Sequence, residues 1–271
     1  MRAQERAATD FDGTVTDVEQ EAKPFIRAFR RNVATFLDLH PKLYGSYARN
    51  ARFEIIRSPQ HHAWEVRGIK VAPATSDPYI LETVTAKLVI SRLKSLGYLS
   101  KDASYEQSLE NAYQDAYKQT TMAFRPDAQE YLRLLRDKFR GVVITNSDTA
   151  IVLKKIEKLM GENHRISVIG NARKYIVDPH KLQETLQLTG LPRPVYTARP
   201  FYEAVIRSLE PIDAFVGDIY ELDLSVPDTQ GKHIVQIQSL RTPRWETTYM
   251  KRHPRAAIFA NLADAIAHLD Q

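Results

Sequence analysis

Helices in this chain are marked by hydrophobic positions three and four residues apart, and strands by short apolar, β-branched runs. In EAKPFIRAFRRNVATFLDL (21–39), Phe25, Ile26, Phe29, Val33, Phe36 and Leu37 recur at helical spacing, which predicts an amphipathic helix. Arg27, Arg30 and Arg31 share another face of it, either a solvated one or one that meets an anionic group. ARFEIIRSPQHHAWEVRGIKVAPATSDP (51–78) is less regular and is broken by Pro59, Pro73 and Pro78. Two further helices are predicted, in ILETVTAKLVISRLKSLG (80–97) and YEQSLENAYQDAYKQTTMAF (105–124).

From about residue 126 the pattern changes to alternating helix and strand. RPDAQEYLRLLRDKF predicts a helix with Pro126 in its first turn and Asp127 at its positive end. GVVIT (141–145) predicts a strand, and TAIVLKKIEKLMG a helix closed by Gly161. ISVIG (166–170), DAFVGD (213–218), HIVQIQ (233–238) and AAIFA (256–260) predict further strands; FYEAVIRSL and NLADAIAHL predict helices. A first short strand lies in QERAATD. Such alternation predicts an α/β fold with a parallel sheet covered on both faces, and a ligand site at the C-terminal strand ends. The polar residues fall there: Thr9-Asp10 after the first strand, Thr145-Asn146-Ser147 after GVVI, and Gly217-Asp218 after AFV.

Composition narrows the class. The 271 residues are 43% apolar and 26% charged, enough for one large or two smaller domains with a sizeable core. No apolar run approaches the ~20 residues of a membrane helix, and MRAQERAATD lacks the apolar stretch of a signal peptide. Cysteine is absent, which excludes disulfides and thiolate chemistry and fits a cytoplasmic protein. The net charge of +5 agrees with an anionic ligand, but no Lys/Arg block points to nucleic acid, and neither a nucleic-acid nor a membrane partner is expected. His61-His62 lack metal-ligand spacing and read as surface residues; Trp64 and Trp245 read as packing residues. Tyr44, Tyr47 and Tyr79 are of a type that can stack on a ring. The oligomeric state is left open.

TDFDGTVTD (9–17) carries candidate chemistry. In extended backbone, Asp10 and Asp12 point to one side and Phe11 to the other. One carboxylate can then act as a nucleophile while the other handles protons. Gly13 lets the chain turn away and a ligand approach. An acidic pair needs compensation, and hard oxygen ligands suit Mg²⁺, with Asp218 and Asp223 as further carboxylates. Thr145 offers a hydroxyl at a strand end, just before a helix N-terminus that can face an anion.

DFDGTVTD resembles the first motif, DxDGTxxD, of the haloacid dehalogenase-like (HAD) hydrolase superfamily. GVVITNSD resembles its second motif and VGDIYELD its fourth, GDxxxxD, in the same order and strand context. The similarity covers about residues 8–17 and 126–271, and a strand such as AAIFA before a final helix fits it too. The resemblance implies a Rossmann-like core (1–17 and 126–271) and a mainly helical cap (18–125) inserted between the first two motifs. It implies a phosphatase acting on a small phosphorylated metabolite. Asp10 is then the nucleophile, which forms an aspartyl-phosphate, and Asp12 the general acid and base. Thr145 binds the phosphoryl group; Mg²⁺ is held by Asp10, the Asp12 carbonyl and Asp218, with Asp223 in support.

The third motif, normally Lys and often Lys-Pro, has two candidates. Arg199-Pro200 matches in position, at a helix start ahead of the fourth motif, and is preferred; Lys174 in ARKYIVDP is the rival. Arg presents a planar fork instead of a point charge, so Arg199 would be a departure from the pattern. That departure motivates an alternative, a catalytically weak binding or regulatory protein. Dehalogenating members lack an acid two residues after the nucleophile, so Asp12 favours phosphate-ester chemistry, with a phosphomutase as a lesser option.

Overall fold

The computed structural model describes residues 6–102 and 104–269, so Gln4 and Glu5 of the expected first strand lie outside the described residues. In chain order, β1 (Ala7–Thr9) is followed by α1 (Val18–Phe36), α2 (Pro41–Arg57), the paired strands β2 (Ala63–Val66) and β3 (Ile69–Pro73), α3 (Pro78–Ser95) and α4 (Glu106–Tyr117). Next come α5 (Ala128–Lys138), β4 (Val142–Ile144), α6 (Thr149–Met160), β5 (Ser167–Ile169), the short pair β6 (Thr185–Leu186) and β7 (Val195–Tyr196), and α7 (Pro200–Leu209). The chain ends with β8 (Ala214–Gly217), a π-helical turn at Tyr220–Leu224, α8 (Ser225–Thr229), β9 (His233–Ile237), α9 (Arg244–Arg252), β10 (Ala256–Phe259) and α10 (Leu262–Leu269).

Two compact units result. One comprises Met1–Asp17, Glu65–Ala72 and Phe124–Gln271; the other comprises Val18–Trp64 and Pro73–Ala123. Glu65–Ala72, which the sequence assigns to the helical insertion, clusters with the first unit. Among the described residues no helix is long and apolar enough to cross a membrane.

The first unit is built on a six-stranded sheet in the order β10-β9-β8-β1-β4-β5. Every pairing in it is parallel, with Thr9 opposite Val143 on one side and Val216 on the other. Side chains alternate across the sheet and fill two cores. Ala7, Val143, Val216 and Val235 pack with Tyr131 and Leu132 of α5, Val152 and Ile156 of α6, and Leu262 of α10. Ala8, Val142, Phe215 and Ile234 pack on the opposite face with Tyr202 of α7, Val226 of α8 and Trp245 of α9. Trp245 is thus a packing residue, as its sequence context suggests.

From β1 the chain builds the sheet outward through β4 and β5, then crosses back to β8 on the other side of β1. The order therefore reverses between β1 and β8, and such a reversal opens a crevice at the C-terminal strand ends. Asp10 follows β1 and Asp218 follows β8, so both stand at that crevice.

The second unit is a helical cluster. Phe25, Phe29 and Val33 of α1 pack with Tyr44 and Ala48 of α2, Val89 and Leu93 of α3, and Leu109 of α4. Tyr44 is buried in this core, and Tyr79 packs its ring against Phe25 and Tyr117. Arg30 lies against Glu82, which accepts two of its N–H groups at 2.7 Å each.

Several elements depart from the sequence expectations. Helix α2 went unpredicted because its buried stripe, Tyr44, Ala48, Ala51 and Ile55, is half alanine and gives little hydrophobic contrast. The β2–β3 pair turns at Arg67 and Gly68, with φ of 52° and 78°, although the sequence there shows only a proline-broken stretch. Helix α5 starts at Ala128, with Asp127 at φ 63°, so Pro126 stands ahead of the first turn and not within it. Strands β6 and β7, the π-helical turn, α8 and α9 were also not foreseen; the first four are too short to show a period.

Phe215 ties β8 to the α7–α9 face and is almost wholly buried. Phe215→Ala should destabilise the protein by about 3–5 kcal/mol, read as a lowered urea midpoint.

Candidate active site

Asp10 sits where β1 stops. Its backbone N–H donates to the Val216 carbonyl at 2.8 Å, which continues the β1–β8 ladder by one residue. The pleat then turns Phe11 into the α5–α6 core and leaves Asp10 on the other side. Gly13 follows at φ +91°, a conformation that disfavours any side chain. A Cβ at Gly13 would stand 2.2 Å from Asp218 Oδ2, so the absence of a side chain lets the β1 loop close onto the β8 end.

The β8 end supplies Asp218 and Asp223. The π-helical turn between them folds Asp223 back: its N–H donates to the Ile219 carbonyl at 2.9 Å, and its Oδ2 accepts from Ile219 N at 3.0 Å. Gly217 makes room, since a Cβ there would meet the Asp223 Cβ at 2.4 Å. One oxygen from each of Asp10, Asp218 and Asp223 lies within 4.8 Å of the others, and all three residues are buried.

Lys174 joins this cluster from the segment after β5. Its Nζ donates to Asp10 Oδ1 at 2.7 Å and to Asp223 Oδ1 at 2.8 Å, with 1% of the side chain exposed. Burial disfavours its ammonium form, but Asp10 and Asp223 outweigh burial and hold its pKa above the ordinary lysine range. Asn146, at the end of β4, accepts the Lys174 backbone N–H at 2.8 Å. Arg173, just before, is held at φ 47° with its guanidinium over the Phe201 ring. The backbone thus bears local strain to deliver Lys174.

Asp12 faces elsewhere. Its Oδ2 accepts from Thr145 Oγ1 at 3.2 Å and Ser147 Oγ at 2.6 Å, and its Oδ1 lies 3.3 Å from Lys155 Nζ. Its side chain is 29% exposed, against 8% for Asp10. The two aspartates of one tripeptide therefore occupy different environments. Burial drives the Asp10 carboxyl up to about 7, with Lys174 opposing and Asp223 and Asp12 adding to the rise.

The structure places Arg199 and Lys174 differently. The buried Arg199 guanidinium donates to the backbone carbonyls of Tyr196 at 3.2 Å, Val71 at 3.0 Å, and Lys174. All of these acceptors are carbonyl oxygens, whereas Lys174 reaches the carboxylates of Asp10 and Asp223. Arg199 holds the Lys174 segment from behind and ties β3 to it. An arginine fork suits that work because its donors spread in one plane. Burial pulls its pKa down to about 10, with Glu221 and Asp223 opposing.

Of the anticipated site residues, Asp10, Asp218, Asp223 and Lys174 meet in one buried cluster, and Asp12 and Thr145 pair beside it. Sequence reasoning missed Lys155, Gln236 and Glu246. Lys155 had a signal, since it stands beside the buried Ile156 on the helix that follows TNSD. Gln236 donates from Nε2 to the Asp218 carbonyl at 3.0 Å and to Glu246 Oε2 at 2.7 Å. Nothing local in HIVQIQ distinguishes that glutamine.

The donor set fits a divalent cation. Three buried carboxylates lie together, two of them bonded to Lys174, and burial lowers the pKa of nearby Arg125 while Asp218 opposes that fall. The carboxylates still outnumber these two cations. Hard oxygen donors at this spacing suit Mg²⁺. Asp10, Asp218 and Asp223 are the residues that would hold it; Asp10 accepts from Lys174 and Thr14, and Asp223 from Lys174 and Ile219.

No family model matches the sequence, and no curated protein matches it. Solved structures do. The fold is similar to that of a HAD hydrolase from Bacillus subtilis bound to magnesium, at 10% identity over 100% of both chains with a TM-score of 0.50. It is similar to a haloacid dehalogenase-like family hydrolase from Streptococcus pneumoniae, at 13% identity over 99% of this chain and 100% of that one, TM-score 0.51. It is also similar to a haloacid dehalogenase-like hydrolase from Bacteroides fragilis, at 12% identity over 97% of this chain and 100% of that one, TM-score 0.52. At these identities the likeness is one of fold, and the chain carries the fold of the HAD-like hydrolases.

The buried acids set a pH dependence. Asp10 is pushed up to about 7, and Glu246 up to about 8 by burial first and Glu221 second. Each favours the fold while protonated and opposes it once ionised, so metal-free protein should lose stability as pH rises from about 4 towards about 8. Thermal melts in chelator across that range measure the fall, and Asp10→Asn and Glu246→Gln should each flatten it.

Proposed function

We propose that this chain is a hydrolase of phosphate monoesters of small metabolites, acting through covalent attack by Asp10 and using Mg²⁺ at Asp10 and Asp218, with Asp223 in support. The observation that carries the reading is the pairing of a buried carboxylate–lysine cluster with a second, partly exposed aspartate two residues after the first. In the first step an Asp10 carboxylate oxygen bonds to phosphorus and the ester P–O bond breaks. Protonated Asp12 gives its proton to the departing oxygen, which leaves as an alcohol. In the second step Asp12 takes a proton from water as the water oxygen bonds to phosphorus. The P–O bond to Asp10 then breaks, phosphate leaves, and both aspartates return to their starting states.

Lys174 offsets negative charge on the phosphoryl oxygens, and Thr145 donates a hydrogen bond to them. Mg²⁺, when bound, supplies the further positive charge that such a transfer needs. The helical unit takes the part of a cap, on its place in the chain between the first two motifs. Asp12 is the argument against dehalogenation, which needs no acid at that position. The alternative of a catalytically weak binding protein rested on an arginine in place of the expected lysine, and the contact of Lys174 with Asp10 supports the enzyme reading instead.

The test is phosphate release from p-nitrophenyl phosphate and a panel of phosphorylated metabolites, with Mg²⁺ and with chelator. Release should require metal and vanish in Asp10→Asn. Asp12→Asn should slow turnover by about 10²–10⁴-fold. Silence of the wild-type protein across the panel would overturn the reading.

A further inference from the structure

Lys155 is assigned no part by the motifs, yet it is turned to the site. It lies on α6, and its neighbours Val152 and Ile156 are wholly buried against the sheet, which fixes the helix face it stands on. Asp148 caps the helix by accepting from Ala150 N at 2.9 Å and Ile151 N at 3.4 Å, so the helix start is fixed as well. The Lys155 side chain is 14% exposed, with its ammonium 5.8 Å from the centre of the Phe11 ring and 3.3 Å from Asp12 Oδ1. Phe11 is the residue between the two aspartates. A lysine without a task extends into water and keeps its rotamer freedom; this one gives up both.

We propose that Lys155 is a positioning residue: with Ser147 it fixes the Asp12 carboxyl group beside the end of β4 and so sets how poor a leaving group the site can expel. The inference rests on Asp12 being the proton donor of the proposed function. The two contacts act on different oxygens. Thr145 and Ser147 hold Oδ2, and Lys155 holds Oδ1, so together they fix the plane of the carboxyl group as well as its position. Hydroxyls alone leave that plane free to turn about Oδ2. A proton donor must face the departing oxygen within hydrogen-bond reach, so a turned carboxyl group costs rate in proportion to how much the leaving group needs its proton. A nitrophenolate leaves with little help, whereas an alkoxide does not.

The experiment compares p-nitrophenyl phosphate with β-glycerol phosphate in wild type, Lys155→Met, Lys155→Arg and Ser147→Ala, with folding checked by thermal melting. Lys155→Met should lose at least about ten-fold more kcat on the alkyl ester than on the aryl ester, part of the range an acid contributes, with KM on each little changed. Lys155→Arg should restore most of that difference, and Ser147→Ala should repeat it in milder form. In an Asp12→Asn background, Lys155→Met should add no further loss. Equal losses on both esters, a change confined to KM, or a full added loss in Asp12→Asn would overturn the inference while leaving the phosphatase reading intact. A wild type that hydrolyses neither ester overturns both. If Lys155→Met does not fold, Lys155→Arg and Ser147→Ala carry the same comparison: a selective alkyl loss in Ser147→Ala with the arginine variant near wild type supports the inference, and its absence overturns it.

Discussion

One buried ammonium makes the rest of the site possible. Lys174 bonds at once to Asp10, from the end of β1, and to Asp223, from the turn after β8. Carboxylates gathered in a protein interior repel one another and lose their hydration, and a buried charge is tolerated only when paired and hydrogen-bonded. Without Lys174, Asp10 and Asp223 would have to be protonated or pushed apart. Much local structure serves to keep this lysine in place: the Asn146 side chain on its backbone N–H, the left-handed Arg173 ahead of it, and the Arg199 fork on its carbonyl. Those three come from the segment after β4, the segment after β5 and the start of α7.

Topology explains why the acids meet there. The strand order reverses between β1 and β8, and the residues just past those two strands face one crevice. Proximity of backbones is not enough, since the chains must also approach closely. Gly13 and Gly217 permit that approach, each standing where a Cβ would run into an acid of the other motif or of its own. The sheet supplies the address, and the two glycines supply the last few ångströms.

The helices and strands with a clear period were legible in the sequence, as were the acidic strand ends. A sheet strand such as GVVIT announces itself because burial on both faces makes it a continuous apolar run. Helix α2 did not, since a stripe containing Ala48 and Ala51 buries little and contrasts little. The choice between Arg199 and Lys174 could not be read from the sequence for a different reason. Both are cations in roughly the right part of the chain, and position relative to a helix start favoured the arginine. What separates them is a long-range fact: which side chain the loop after β5 turns toward Asp10, and this depends on contacts with residues far away in sequence. Gln236 and Glu246 were invisible on the same ground, because a buried polar residue inside an apolar strand, or one turn into a helix, has no local signature of the partner that satisfies it.

Asp10 and Asp12 show how one short stretch of backbone can yield two chemical characters. They are separated by a single phenylalanine, yet Asp10 is enclosed by other acids and an ammonium, whereas Asp12 is partly open to water and held by hydroxyls. A nucleophile gains from enclosure, because its position is fixed and competing water is kept away. A proton carrier gains from hydroxyl partners, because a hydroxyl can donate to a carboxylate or accept from a carboxylic acid as the proton comes and goes. The ammonium of Lys155 has no such versatility: it can only donate. In the proposed mechanism it holds one oxygen still while the hydroxyls follow the other through the proton cycle.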